Sequence, residues 1–178
     1  EELKDRGVYG ITFMGRRGVQ LQCTYDNMLW SFGGEWYDEN YHPTINSSEA
    51  VAALDYFKSL IPFAPPGVLT YDWDESANAF AQGKAAMNIQ WQNAAPLFQD
   101  PSKSQIVGKF NFTLIPGKEQ SDGSIRRTPT FGGWGLMIPK DSKNKEAAWE
   151  FIVWATSPEM EPRLAHAQPG ARYSSLQD

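Results

Sequence analysis

The sequence is poor in the residues from which cross-links and metal centres are made. It has one cysteine, Cys23, and two histidines, His42 and His166. A lone cysteine excludes an intramolecular disulfide and a cysteine-rich metal site. Cys23 reads as a small, buried, apolar side chain. The histidines lack metal-ligand spacing, which excludes a zinc centre built on them, and no cofactor is expected. Positive charge is also scarce. Sixteen Lys and Arg stand against twenty-one Asp and Glu, for a net charge of -5 and an isoelectric point near 5.1. That balance argues against a nucleic-acid or anionic-membrane partner, either of which calls for a basic face to neutralise phosphate. The pairs Arg16-Arg17 and Arg126-Arg127 read as solvated turns. No apolar run approaches the ~18 residues needed to cross a bilayer. The opening Glu1-Glu2-Leu3-Lys4 reads as the inside of a helix, so the chain is expected to be a fragment.

Aromatic residues are plentiful: seven Trp, seven Tyr and ten Phe, and several of them sit among polar or glycine neighbours rather than in apolar runs. Trp36 follows Gly33-Gly34-Glu35, Trp73 lies between Asp72 and Asp74, Trp91 follows Asn88-Ile89-Gln90, and Trp134 lies in Gly132-Gly133-Trp134-Gly135. An aromatic ring with a polar rim suits a ligand that is itself amphipathic, such as a sugar ring. Trp30, Trp149 and Trp154 fall on helical faces with other apolar residues and read as packing.

Alternation predicts a strand over 8–14, and helical spacing predicts a short helix over 25–32 closed by Gly33-Gly34. Asn46-Ser47-Ser48-Glu49 reads as a capping box opening a helix that Pro62 ends. Asp74 is expected to cap a helix from Glu75 to Gln82. A strand carries Ala85, Met87, Ile89 and Trp91 on one face, and a helix follows over 92–99. Strands are predicted over 110–114 and 132–138, separated by a polar linker over 117–130. A capped helix carrying Ala147, Ala148, Phe151, Ile152 and Ala155 comes next, and Ser157-Pro158-Glu159 opens another. Alternating helices and short strands make the class α/β.

Three segments carry a resemblance. They are Phe80-Ala81-Gln82-Gly83-Lys84-Ala85-Ala86-Met87-Asn88-Ile89-Gln90-Trp91; Gly132 to Ile138 with the following Lys143 to Ile152 and Thr156 to Glu159; and Pro169 to Ser175. In this order they resemble the family 1 extracellular solute-binding proteins, the maltose-binding-protein-like receptors of ABC sugar importers. The resemblance implies a type II periplasmic-binding-protein fold, here a fragment with residues 1–127 as most of the second lobe. Residues 128–178 would be the crossover strand and helices returning to an incomplete first lobe. It further implies a periplasmic receptor, or an extracellular lipid-anchored one in a Gram-positive source. Such a receptor is a monomer without enzymatic activity, and it binds a sugar or polyol and touches the membrane only through permease subunits. Closure is expected to hinge near Arg127 to Phe131.

By resemblance, Trp91 and Trp134 stack on the ligand, with Gly132 and Gly133 admitting a close approach. Tyr25 and Asp26, placed at a helix start, and Trp36 and Arg172 are further candidate contacts. The rival for Trp91 is a core residue, and for Asp26 it is service to the helix N-terminus. A glycoside hydrolase fragment using Asp72 or Glu75 is the alternative function, disfavoured because Asp72 has no evident partner acid.

Overall fold

In the computed structural model, which describes residues 3–164, the chain divides into two compact units, Glu1–Phe131 and Gly132–Asp178. The first unit is built on strand β1 (Tyr9–Thr12). Helix α1 (Val19–Ser31) buries Tyr25, Met28 and Leu29, which the helical period places on one face. It stops where Gly33 turns left-handed at a φ of 92°, a backbone state that costs glycine nothing. There the Gly33 N–H bonds the Trp30 carbonyl and the Gly34 N–H returns to the Leu29 carbonyl, which closes the helix end. Helix α2 (Ser48–Leu60) starts from Ser47, whose Oγ accepts from the Ala50 N–H at 3.2 Å. It packs on α1 through Ala50, Ala53 and Phe57. Phe57 meets the Phe13 ring with centroids 5.2 Å apart and the Tyr25 ring edge-on at 6.4 Å.

Helix α3 (Trp73–Ala81) leads through Gly83, at a φ of 68°, into strand β2 (Ala85–Asn88). β2 pairs with β1 in parallel, in the register Tyr9↔Ala85, Ile11↔Met87 and Thr12↔Asn88. Parallel neighbours need a long crossover connection, and α1, α2 and α3 supply it. Helix α4 (Ala95–Gln99) closes a second, smaller core in which Ala77, Ala81, Ala94 and Phe98 are buried. An antiparallel hairpin of β3 (Lys118–Glu119) and β4 (Ile125–Arg126) follows, with Lys118 Nζ 5.4 Å from the centre of the Phe32 ring. The second unit holds α5 (Lys145–Ala155) and the short α6 (Glu161–Leu164).

Several expected boundaries shift. α1 begins at Val19 and not at Tyr25, so Tyr25 and Asp26 stand in mid-helix. Ser47 is the cap of α2, and the Asn46 to Glu49 box is not made. Asp72, not Asp74, caps α3, because Asp72 and Glu75 together form the reciprocal capping box. β2 ends at Asn88, with the Ile89 N–H making the last bond to β1, so Trp91 leaves the ladder, and Met87 is exposed. Residues 110–114 form no strand: Phe110 stacks edge-on against Phe98 and Phe112, and ring packing takes the place of a ladder. Residues 132–138 are irregular and not a strand. The expected linker over 117–130 contains the β3–β4 hairpin. α5 has no side-chain cap, and its apolar stripe is unburied; Trp149 and Trp154, read as packing, are 60% and 54% exposed. Ser157 Oγ accepts from the Met160 N–H as a cap would, but the helix proper starts at Glu161. Cys23 is only half-buried.

Gly15 fixes the position of the proline-rich segment that follows α2. A Cβ there would collide with the Val68 carbonyl oxygen and lie 2.9 Å from the Leu69 Cα, both unyielding backbone atoms. Gly15→Ala is therefore expected to lower stability by about 1–3 kcal/mol, the range for overpacking a filled interior. A urea unfolding midpoint unchanged from the parent would contradict this packing.

Candidate functional site

Parallel strands deliver their carboxyl ends to one edge, and in open α/β sheets ligands are bound outside that edge. Here the edge lies beyond Thr12 and Asn88, which are register partners. Three segments converge on it. The chain leaving β1 is tied down by the Gly15 and Arg16 N–H groups, which both donate to the Tyr71 carbonyl at 3.0 and 2.9 Å. The chain leaving β2 is tied by the Ile89 N–H, which donates to the Thr12 carbonyl at 3.1 Å. Gln90 Nε2 reaches the Trp73 carbonyl at 3.4 Å, while Gln90 Oε1 accepts from the Trp91 N–H at 3.0 Å. Gln90 thus links the start of α3 to the segment that follows β2.

One ion pair closes at this edge. Arg16 Nη2 lies 3.0 Å from Asp72 Oδ2, and the other Asp72 oxygen accepts from the Trp73 N–H at 2.7 Å. Glu75 Oε2 accepts from the Asp72 N–H at 2.8 Å. Both acids of the hydrolase alternative are therefore engaged in starting α3. Half-buried Trp73 and Trp91 belong to the same edge segments. The combination offers indole surface, a guanidinium with donors to spare and carboxylate oxygens, which suits a polar ligand with an apolar face. Among the described residues no group of His, Cys, Asp and Glu could hold a metal ion.

The structure distributes the expected site residues unevenly. Trp91 lies at the carboxyl edge as described. Tyr25, Asp26 and Trp36 come together, but as an internal cluster. The Tyr25 hydroxyl donates to the Ala50 carbonyl at 2.9 Å, and Trp36 Nε1 donates to Asp26 Oδ1 at 2.7 Å. The two rings stand edge-on, 5.9 Å apart, and Asp26 is 3% exposed. Trp134 is fully exposed, and Gly132 and Gly133 beside it are exposed and irregular. Arg172 lies outside the described residues. Arg16, expected only in a solvated turn, pairs with Asp72, and Tyr71 and Gln90 were not among the expected site residues. The available signal was the strand–turn–charge order at Thr12 to Arg17 and the Asp72 to Glu75 spacing of a capping box.

Burial pushes the Asp26 carboxyl above the usual carboxylate range, and hydrogen bonds from the Trp36 indole and the Gln22 side chain draw it part of the way back. The Tyr25 hydroxyl is raised too, first by burial and then by the Asp26 charge. The folded Asp26 carboxyl therefore keeps its proton to a higher pH than the unfolded one. In the window just above the usual carboxylate range the folded state binds more protons, so this group makes stability fall as pH rises. Asp26→Asn retains an acceptor for Trp36 and has no proton to lose, so it should remove that contribution. Asp26→Leu strands the indole N–H and should cost about 1–3 kcal/mol. Urea midpoints measured from about pH 4 to pH 8 test both; an Asn variant losing stability as steeply with rising pH as the parent would contradict the assignment.

The profile of the "Bacterial extracellular solute-binding protein" family matches residues 1–162. A probable amino-acid ABC transporter periplasmic-binding protein of Sinorhizobium fredii is 28% identical, over 99% of this chain and 39% of its own length. The mannitol-binding protein of Pseudomonas aeruginosa is 28% identical, over 98% of this chain and 41% of its own length. The chain thus spans about two-fifths of the length of these curated relatives. The structure of maltose-bound MalE3 from T. maritima superposes with a TM-score of 0.89 at 33% identity, over 99% of this chain and 46% of that one. The α/β arrangement is accordingly part of a type II periplasmic-binding-protein fold.

Proposed function

Because this chain belongs to the bacterial extracellular solute-binding proteins, we propose that it forms part of a receptor that binds a neutral sugar or polyol reversibly. The receptor then passes the ligand to the permease subunits of an ABC importer. The observation that carries this reading is the carboxyl edge of β1 and β2, where Trp73 and Trp91 accompany the closed Arg16–Asp72 pair. The C–H face of a sugar ring or a polyol backbone packs on an indole, and its hydroxyls exchange hydrogen bonds with guanidinium and carboxylate. The relatives named for mannitol and bound to maltose support the same class. An amino acid, as in the name of the S. fredii relative, would bring two charges of its own and favour parting the pair; an uncharged solute leaves it closed.

In this reading residues 1–127 supply most of the second lobe, and 128–178 return towards the first. Trp134, with Gly132 and Gly133 leaving room beside it, and Arg172 add contacts, while Tyr25, Asp26 and Trp36 support the fold around α1. No chemistry is performed on the ligand, since Asp72 and Glu75 are occupied in capping α3. The receptor works as a monomer in the periplasm, or lipid-anchored on the outer face of a Gram-positive cell, and meets the membrane only through the permease. No described helix is long and apolar enough to span a membrane.

In the complete protein, Trp91→Ala should weaken sugar or polyol binding by about 1–3 kcal/mol, the scale of an aromatic stacking platform. Calorimetry against mannitol, maltose and neutral amino acids checks this; unchanged affinity, or preference for an amino acid, would overturn it. Turnover of a chromogenic glycoside that is lost in Asp72→Asn would establish the hydrolase instead.

A further inference from the structure

The chain leaving β2 is tied to the first turns of α3 at two alternate residues. Asn88 Oδ1 accepts from Ser76 Oγ at 3.0 Å, and Gln90 Nε2 donates to the Trp73 carbonyl at 3.4 Å. Trp73 and Ser76 are three apart and share one face of α3. The two amides are thus matched to a single turn of helix.

Gln90 also bonds on its other side. Its Oε1 accepts from the Trp91 N–H at 3.0 Å. The orientation of the amide is forced, because only its nitrogen can donate to the Trp73 carbonyl and only its oxygen can accept from Trp91. Past this point the Trp91 carbonyl accepts from the Ala94 N–H at 3.1 Å, and Ala94 is buried in the smaller core against which Trp73 packs. The Trp91 backbone, at φ −75° and ψ 149°, is therefore held on both sides, and both holds lead back to Trp73. The polar edges of the rings are not what fixes them. Trp36 commits its indole N–H to Asp26, whereas the indole N–H groups of Trp73 and Trp91 have no protein acceptor among the described residues.

We propose that Gln90 is the positioning residue of the ligand platform. Its amide sets the Trp91 indole at a fixed place relative to Trp73 before any ligand arrives, without itself touching the ligand. This rests on the receptor reading above, in which Trp91 meets the sugar or polyol. A platform that is already set does not have to be ordered by the ligand, so losing the amide shows as weaker affinity. Because Gln90 acts through Trp91, that loss requires the Trp91 ring to be present.

The test is calorimetry against mannitol and maltose, with amide hydrogen exchange, on the complete protein. Gln90→Met, similar in length but without hydrogen-bonding N or O atoms, should speed exchange at the Trp91 amide and weaken affinity about 3- to 10-fold, the worth of one or two hydrogen bonds. In a Trp91→Ala background the same change should have little further effect, since the ring it places is gone. Gln90→Glu keeps the acceptor for Trp91 and loses the donor to Trp73. It should keep the Trp91 amide protected, with an affinity between those of the parent and Gln90→Met. Ser76→Ala cuts the neighbouring tie and should lower the urea midpoint while affinity is kept. Should Gln90→Met fail to fold, Gln90→Glu with and without the Trp91 ring carries the same test. Parental affinity or parental Trp91 exchange in Gln90→Met would overturn the positioning role. So would an equal loss with and without the Trp91 ring, or a loss in Ser76→Ala as large as in Gln90→Met. The receptor reading survives those outcomes wherever Trp91→Ala itself weakens binding. A complete protein that binds no sugar or polyol would overturn that reading, and the role of Gln90 with it.

Discussion

The parallel pairing of β1 with β2 is the constraint on which the first unit depends. It joins Tyr9 to Ala85 and Thr12 to Asn88, and so obliges α1, α2 and α3 to fold over the pair as a crossover. The same pairing brings the chain after Thr12 and the chain after Asn88 to one edge. Without it, Arg16 and Gln90 would have no reason to meet Asp72 and Trp73. The close approach at Gly15 and the two bonds accepted by the Tyr71 carbonyl hold the third segment against that edge. Site and core are in this sense built by the same contacts.

Two aspartates show how far environment separates identical side chains. Asp26 is buried in mid-helix with an indole N–H as its partner, and its protonation is linked to the folded core. Asp72 sits at a helix start, shares a salt bridge with Arg16, and keeps α3 in place. One braces the packing of α1, and the other supplies polarity at an accessible edge. Both stand beside an aromatic residue in sequence, so a reading of neighbours treats them alike.

The aromatic residues divide along the same line. Tyr25 and Trp36 lock α1 to the turn that follows it, and Phe80, Phe98 and Phe110 close the smaller core. Trp73 and Trp91 remain partly open at the carboxyl edge. In the second unit Trp134, Trp149 and Trp154 are exposed within a unit that has no buried residue among those described. The chain spans about two-fifths of its curated relatives' length.

By themselves, the residues determined the α/β class, the existence of α2, α3 and α5, and the family, because periodicity, glycine stops and ordered motifs are local properties of the chain. Trp91 as a candidate contact was legible for the same reason: its polar neighbours are adjacent in sequence. Only the tertiary structure decided that Asp26 faces inward, that Arg16 and Asp72 form a pair, and that Gln90 ties Trp91 to the start of α3. Each of these depends on which distant segment lies opposite. A strand that ends early at Asn88, or a helix that begins early at Val19, moves every later side chain to a different face. Local pattern sets which elements form; contact between remote segments sets what their side chains meet.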